Sequence, residues 1–415
     1  MIVATPAQRL QAGSTRVLSA VTLVSAIAPL SGTMVLVVLP DVQRDLRISA
    51  MAAGLLVATY LVAVAILQPF GGRLGDVWGR ERVLSFGLGI IIVASVVATT
   101  SPNYTVLLIA RLLQAAGGAL AFPNAMALVR DRLAPARLGH AMGMVGGVMV
   151  ASGALGVPVA EAVRALGTWR AVFVVSALHG CIAVIAIHRY ARRGVPRVQR
   201  SATAAGIGGR TMRRPHLIAV GALTVTNISM YAFLVAVSLT LGRSETHLNG
   251  ISAILLFLFF SGSVIGAPLG GHASDRMGRW RLSSLGLAAL ALGVLPIALT
   301  GETAVALVVS GALTAGIGAG AASGALQAAA LEAIPTPRTG QVAGIISSGR
   351  YLGAALGSGV GTAAGAHTVL GACTGLAFVT LTAALAAGIT AAAGRTEHGR
   401  APRLASVSSV AHSRL

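Results

Sequence analysis

Two arginines sit where arginine is hardest to keep. Arg111 and Arg350 each fall inside a long apolar run, about 9 Å and about 15 Å along a helix at about 1.5 Å per residue. A guanidinium at such depth needs a partner, a water-filled cavity or an anionic ligand. Arg111 has the further option of snorkelling to the nearer membrane surface; for Arg350, near the midplane, that is difficult. Gln114 follows Arg111 and Tyr351 follows Arg350, and both join them as substrate candidates. Glu161 is one of the few acids near membrane depth, either a rim residue or a proton carrier. His179, midway along its run, titrates near neutral pH or serves as hydrogen-bonded packing. A seventh apolar run carries Thr224, Thr226, Asn227, Ser229 and Tyr231, which line a cavity or bond to neighbouring helices. This chemistry is charge recognition and proton carriage. Covalent catalysis is not indicated: the sequence has no P-loop, no H-E-x-x-H and no nucleophile beside a base, so an enzyme and an ATP-driven pump are both excluded.

The elements that must position these groups are apolar helices. Mean hydropathy is +0.83 and only 10% of residues are charged, the composition of an integral membrane protein. Glycine numbers 52 of 415 residues, well above the usual share of about 7%, and small residues let membrane helices pack closely. Runs long enough to span a bilayer fall at 16–39, 50–70, 83–100, 105–128, 138–163, 170–189, 216–240, 250–270, 282–300, 303–332, 340–365 and 369–393. The first is too long for a signal-peptide core and reads as a first helix. The two cysteines, Cys181 and Cys373, lie in apolar runs and read as small core residues. Gly349, Gly353, Gly357, Gly361 and Gly365 recur every four residues, a smooth stripe suited to close helix packing.

Between the second and third runs stands Gly72-Arg73-Leu74-Gly75-Asp76-Val77-Trp78-Gly79-Arg80-Glu81-Arg82. It returns as Gly271-His272-Ala273-Ser274-Asp275-Arg276-Met277-Gly278-Arg279-Trp280-Arg281. Gly72, Asp76, Gly79, Arg80 and Arg82 recur at one constant offset, so the chain is duplicated. Gly72 is expected to let two helices approach closely, and Asp76 and Asp275 to meet a helix N-terminus or an arginine. The organisation that follows is a bundle over residues 1–190, a basic, glycine-bearing linker at 191–215, a second bundle over 216–393 and a polar tail at 394–415.

The net charge of +20 does not mark a nucleic-acid binder, because of where the charge lies. All 31 basic residues are arginine. Only Arg44, Arg47, Arg164, Arg170 and Arg243 fall on the outer side and only Arg111 and Arg350 inside spans. The remainder crowd one side, the positive-inside pattern, which puts both termini in the cytoplasm. The arginine-only, Ala- and Gly-rich composition points to a bacterial inner membrane.

The duplicated loop, G-x-L-x-D-x-x-G-R-x-R, resembles the signature of the major facilitator superfamily. Arg111-Leu112-Leu113-Gln114-Ala115-Ala116-Gly117-Gly118 is similar to its R-x-x-Q-G, and Trp169-Arg170-Ala171-Val172-Phe173 to its W-R-x-x-F, with Trp169 at the outer interface. Arg350-Tyr351-Leu352-Gly353-Ala354-Ala355-Leu356-Gly357 resembles the R-Q-L-G-G-x-L-G of the fourteen-helix drug:proton antiporter branch. Departures are specific. Ser31 stands at the branch's usual acid in the first helix, and Leu36 at its usual Asn. In the fifth helix Pro158 is displaced by one residue, and Ala160-Glu161 replaces the Gly pair. Pro158 still kinks that helix. The extra central pair of helices is absent.

The reading is an all-α integral membrane protein: twelve transmembrane helices in two six-helix bundles related by a pseudo-two-fold duplication. The resemblance implies a secondary transporter working by alternating access, monomeric, with the bilayer and a small molecule as its partners. No nucleic acid, cofactor or metal is called for; a proton is the candidate coupling ion. Two deep arginines and almost no deep acid favour export of small hydrophobic, neutral or weakly anionic compounds. An importer or uniporter on the same fold, and a transport-dead sensor, are the alternatives.

Overall fold

A computed structural model describes residues 6–132, 135–191, 214–241, 251–300, 305–331 and 339–366. Hydrocarbon offers no partner to a backbone N–H or C=O, so apolar runs must bond internally as helices. They do so as α1 (Pro6–Asp45), α2 (Ala50–Trp78), α3 (Arg80–Thr99), α4 (Tyr104–Arg132), α5 (Pro135–Arg164) and α6 (Ala171–Ala186), whose last turn, Ile187–Ala191, is π-wound. Then come α7 (Arg214–Leu241), α8 (Ile251–Met277), α9 (Arg279–Thr300), α10 (Val305–Leu331) and α11 (Thr339–Ala366). Among the described residues nine of these are long and apolar enough to cross a membrane. The eleven helices match the first eleven expected spans. The twelfth, at 369–393, lies outside the described residues, as do most of the expected linker and all of the tail.

The duplicated motif is not a loop. Gly72 to Trp78 form the last two turns of α2, and the chain reverses at Gly79 alone, with φ of 92°. Gly278, its repeat, turns α8 into α9 with φ of 85°. Both conformations suit glycine, because a Cβ would strain the backbone there. The duplication extends into packing. A Cβ on Gly87 of α3 would lie 2.6 Å from the Gly117 carbonyl of α4, and one on Gly286 of α9 would lie 2.7 Å from the Gly318 carbonyl of α10. Gly71 sits on Ala119 as its repeat Gly270 sits on Ala321.

Helices α1–α6 pack among themselves, chiefly α3 on α4, α1 on α5, α2 on α4 and α3 on α6. Helices α7–α11 do the same, through α8 on α10, α9 on α10 and α7 on α11. Gly349, Gly353, Gly357 and Gly361 form the α11 face against α7, over Thr224, Ile228 and Ala232. Between the two sets, α2 meets α11, α5 meets α8 and α1 meets α7. The α2–α11 contact runs from Gly54 on Thr362 to Ser347 Oγ, which donates to Gln68 Oε1 at 2.9 Å. Ser238 Oγ of α7 donates to the Leu36 carbonyl of α1. Leu36, Gly54, Ser238 and Thr362 all lie toward the end of the bundle away from Gly79, called the far end below.

Candidate functional site

Arg111 does not snorkel. It is 2% exposed, in the second turn of α4, with its guanidinium over the Tyr60 ring of α2 at 4.2 Å. Its Nη1 donates to Gln114 Oε1 at 2.8 Å, and Gln114 Nε2 donates to Ser95 Oγ of α3 at 2.8 Å. Ser95 Oγ donates its own hydrogen bond to the Ile91 carbonyl at 2.7 Å, which leaves its lone pairs free for Gln114. Arg111 Nε is buried without a hydrogen-bond partner. The ring face answers the charge electrostatically, an interaction of up to about 2 kcal/mol when desolvated. No carboxylate neutralises Arg111 among the described residues.

Arg350 comes from the opposite half. Eleven residues separate it from the start of α11, about 17 Å of helix. It is half-buried and, among the described residues, has no hydrogen-bond or ion-pair partner. Tyr231 of α7 and Tyr351 of α11 lie within its electrostatic range, and Tyr60 lies within range of both tyrosines. Three of the chain's five tyrosines therefore share the central cluster, one from the first half and two from the second.

Beside Tyr60 opens a narrow, mostly apolar cleft with a volume of about 30 Å³, well below the roughly 300–1,000 Å³ of an open small-molecule site. Ile27 and Ser31 of α1 line it, with Tyr60, Gln114 and Phe122. Ser31 accepts a hydrogen bond from Ser176 of α6 at 3.3 Å. Tyr60 faces both Arg111 and this cleft, so it joins the two parts of the site.

The remaining candidates fall elsewhere. Glu161 stands at the far end, paired with Arg164 at 3.2 Å, and Arg164 also reaches Asp41 at 2.8 Å; this is the rim position and not a proton carrier at the centre. His179 places Nε2 3.0 Å from the Leu23 carbonyl, a packing bond between α6 and α1. Asn227 donates to the Leu223 carbonyl of its own helix at 2.8 Å, and Thr226 likewise to Ala222 at 2.7 Å, so neither needs a cavity. Pro158 lies within α5 on an exposed face. Trp169 lies at the far end and packs inward: it is 5% exposed, donating to Asp45 Oδ2 at 2.9 Å beneath the Arg170 guanidinium.

The motif holds the end of the bundle near Gly79. Arg80 bridges Asp76 at 3.1 Å and Asp131 of α4 at 2.8 Å, and Arg132 pairs with Glu81. Close approach belongs to Gly71 and Gly75, not Gly72. Asn124 of α4 fills the space beside Gly75 and donates to the Gly71 carbonyl at 2.9 Å, whereas a Cβ on Gly72 would meet only Pro123, at 4.0 Å. In the second copy Ser274 is buried and Arg279 has a partner; the side-chain positions of Gly271 and Asp275 lie outside the described residues.

Sequence reasoning missed Tyr60. No motif surrounds it; the available signal was the scarcity of tyrosine, which makes three in helix interiors notable. It also missed Asp41 and Asp45 as ion-pair partners.

A duplicated bundle of apolar helices around two guanidiniums that no carboxylate neutralises among the described residues defines a multi-pass membrane protein of the solute-transporter class. The chain belongs to the Major Facilitator Superfamily, whose family pattern matches residues 21–358. It is similar to the uncharacterized MFS-type transporter YwoD of Bacillus subtilis (strain 168), at 25% identity over 82% of this chain and 88% of that one. It is similar also to a probable actinorhodin transporter of Streptomyces coelicolor, at 26% identity over 80% of this chain and 69% of that one. The tetracenomycin C resistance and export protein of Streptomyces glaucescens is 30% identical over 44% of this chain. That match spans 34% of the relative, and the match to YvkA of Bacillus subtilis spans 27%. A crystal structure of a bacterial homolog to the human lysosomal transporter Spinster, inward-facing and unoccupied, superposes with a TM-score of 0.75 at 16% identity, covering 95% of this chain and 98% of that one. The likeness shows a shared fold.

Proposed function

We propose that this transporter exports small hydrophobic compounds, neutral or weakly anionic, by alternating access, with Arg111, Arg350, Tyr60, Tyr231 and Tyr351 forming the substrate site. The observation that carries the reading is the central pair of arginines with tyrosines and, among the described residues, no carboxylate. The two guanidiniums would repel a cation there, and the tyrosine rings offset that only in part; an anion or a hydrogen-bonding neutral compound meets no such repulsion. Outward direction is supported by a relative whose name says resistance and export, the tetracenomycin C resistance and export protein. The arginine bias supports a cytoplasmic position for the Gly79 end. Residues 1–190 and 216–393 act as the two rocking halves, with the α2–α11, α5–α8 and α1–α7 contacts as the surfaces that separate and re-form.

Arg350→Ala tests the site. It removes a charge-assisted contact worth about 1.5–3 kcal/mol, so substrate affinity should fall about 10- to 150-fold while membrane abundance is unchanged. Full transport by the variant contradicts the assignment.

A further inference from the structure

We propose that the membrane potential, and not a proton bound by the protein, drives this transporter, which moves singly charged anions electrogenically. The inference rests on the export reading above and adds its energy source.

A proton-coupled carrier needs a group near the substrate that gains and loses a proton within the neutral range. All eleven acids of the chain lie within four residues of a helix end or outside the described helices, and the expected twelfth span, 369–393, contains none. Among the described residues every carboxylate is held in an ion pair at one end of the bundle or the other. His179 is the one histidine deep inside a described helix, and it faces the Leu23 backbone of α1. At the centre stand guanidiniums and phenols, which keep their protons at neutral pH. The site's charge is therefore fixed through the cycle, and the charge that crosses is the substrate's own.

For a monoanion that charge is useful work. A cytoplasm negative inside expels it, and a potential of about 100 mV holds about a fiftyfold concentration ratio, from about 2.3 kcal/mol per elementary charge. A relocated proton site is then unnecessary, which accounts for the serine at position 31 and the ion-paired Glu161.

The test uses the purified full chain in proteoliposomes at equal pH on both sides, with a potassium–valinomycin potential. The probe is 2-naphthalenesulfonate, a permanent anion that cannot carry a proton, and its uncharged sulfonamide is the comparator. Pyranine inside the vesicles reports protons. The expected result is sulfonate flux that reverses with the sign of the potential, approaches a fiftyfold ratio at 100 mV and leaves pyranine unchanged. Arg350→Gln should lose this flux and Arg350→Lys should retain part of it, which separates lost charge from lost folding. Flux that ignores the potential but follows an imposed pH gradient, with protons moving in step, overturns the inference and leaves anion export standing. Sulfonamide flux without sulfonate flux overturns it and leaves neutral export standing. A monodisperse, correctly inserted protein that moves neither overturns both.

Discussion

Replacing Gly54 by alanine should open the far end of the bundle. A Cβ on Gly54 meets Cβ and Cγ2 of Thr362, each at 2.6 Å. The Thr362 Cβ is fixed to its backbone, so no rotamer relieves the clash. Ordinary carbon–carbon contact is about 3.5–4.0 Å, which requires α2 and α11 to part by roughly 1 Å. Overpacking of this kind costs about 1–3 kcal/mol. It falls only on the state in which these helices touch, so the balance moves toward opening by about 5- to 150-fold. The assay is labelling of Ser238→Cys by a membrane-impermeant maleimide, in a background with Cys181 and Cys373 replaced by alanine. Ser238 is buried at this same end, bonded to the Leu36 carbonyl. Gly54→Ala should raise the labelling rate by the stated factor, and adding Thr362→Gly, which removes the clashing carbon, should restore it. An unchanged rate in correctly inserted Gly54→Ala protein would refute the claim that this contact closes the far end.

Other expectations follow from the same geometry. Tyr60→Phe keeps the ring face beneath Arg111 and should preserve the thermal midpoint in detergent, whereas Tyr60→Leu should lose about 0.5–2 kcal/mol of cation–π stabilisation and lower it. Ser31→Asp puts a carboxylate in the cleft; sulfonate flux should fall and become pH-dependent, and flux equal to wild type at every pH would count against the cleft as part of the site. Gly79→Ala and Gly278→Ala should each cost about 1–3 kcal/mol through backbone strain, with Gly72→Ala nearly neutral, as read from thermal denaturation. Arg80→Ala breaks ties to both Asp76 and Asp131, and should slow transport without changing substrate affinity, measured as flux against equilibrium binding.

The fold was legible because hydrocarbon imposes one solution on an apolar run, and because the 72–82 and 271–281 copies exposed the duplication. What escaped was the conformation inside the motif. Its polar composition reads as a loop, yet Gly72 to Trp78 remain helical because backbone groups there still bond within α2, and one positive-φ glycine suffices for the turn. The misplaced glycine has a similar cause: the sequence shows that small residues are present, and only the helix phase decides that Gly71 and Gly75 face Asn124. The site was half legible. Deep arginines announce themselves, because their desolvation needs an explanation. Tyr60 does not, since a phenol is tolerable almost anywhere in a membrane helix, and its meeting with Tyr231 and Tyr351 depends on helices far apart in the chain. Glu161 looked deep by residue count, but α5 ends at Arg164, which captures it.

The central claim is that the two central guanidiniums set the charge of what is carried. Its most direct test is equilibrium binding, to the purified transporter, of three naphthalene probes that differ only in charge: the 2-sulfonate, the 2-sulfonamide and the 2-trimethylammonium. The sulfonate should bind most tightly and the ammonium most weakly, and Arg350→Gln should erase most of the sulfonate's advantage. Tightest binding of the ammonium would contradict the account.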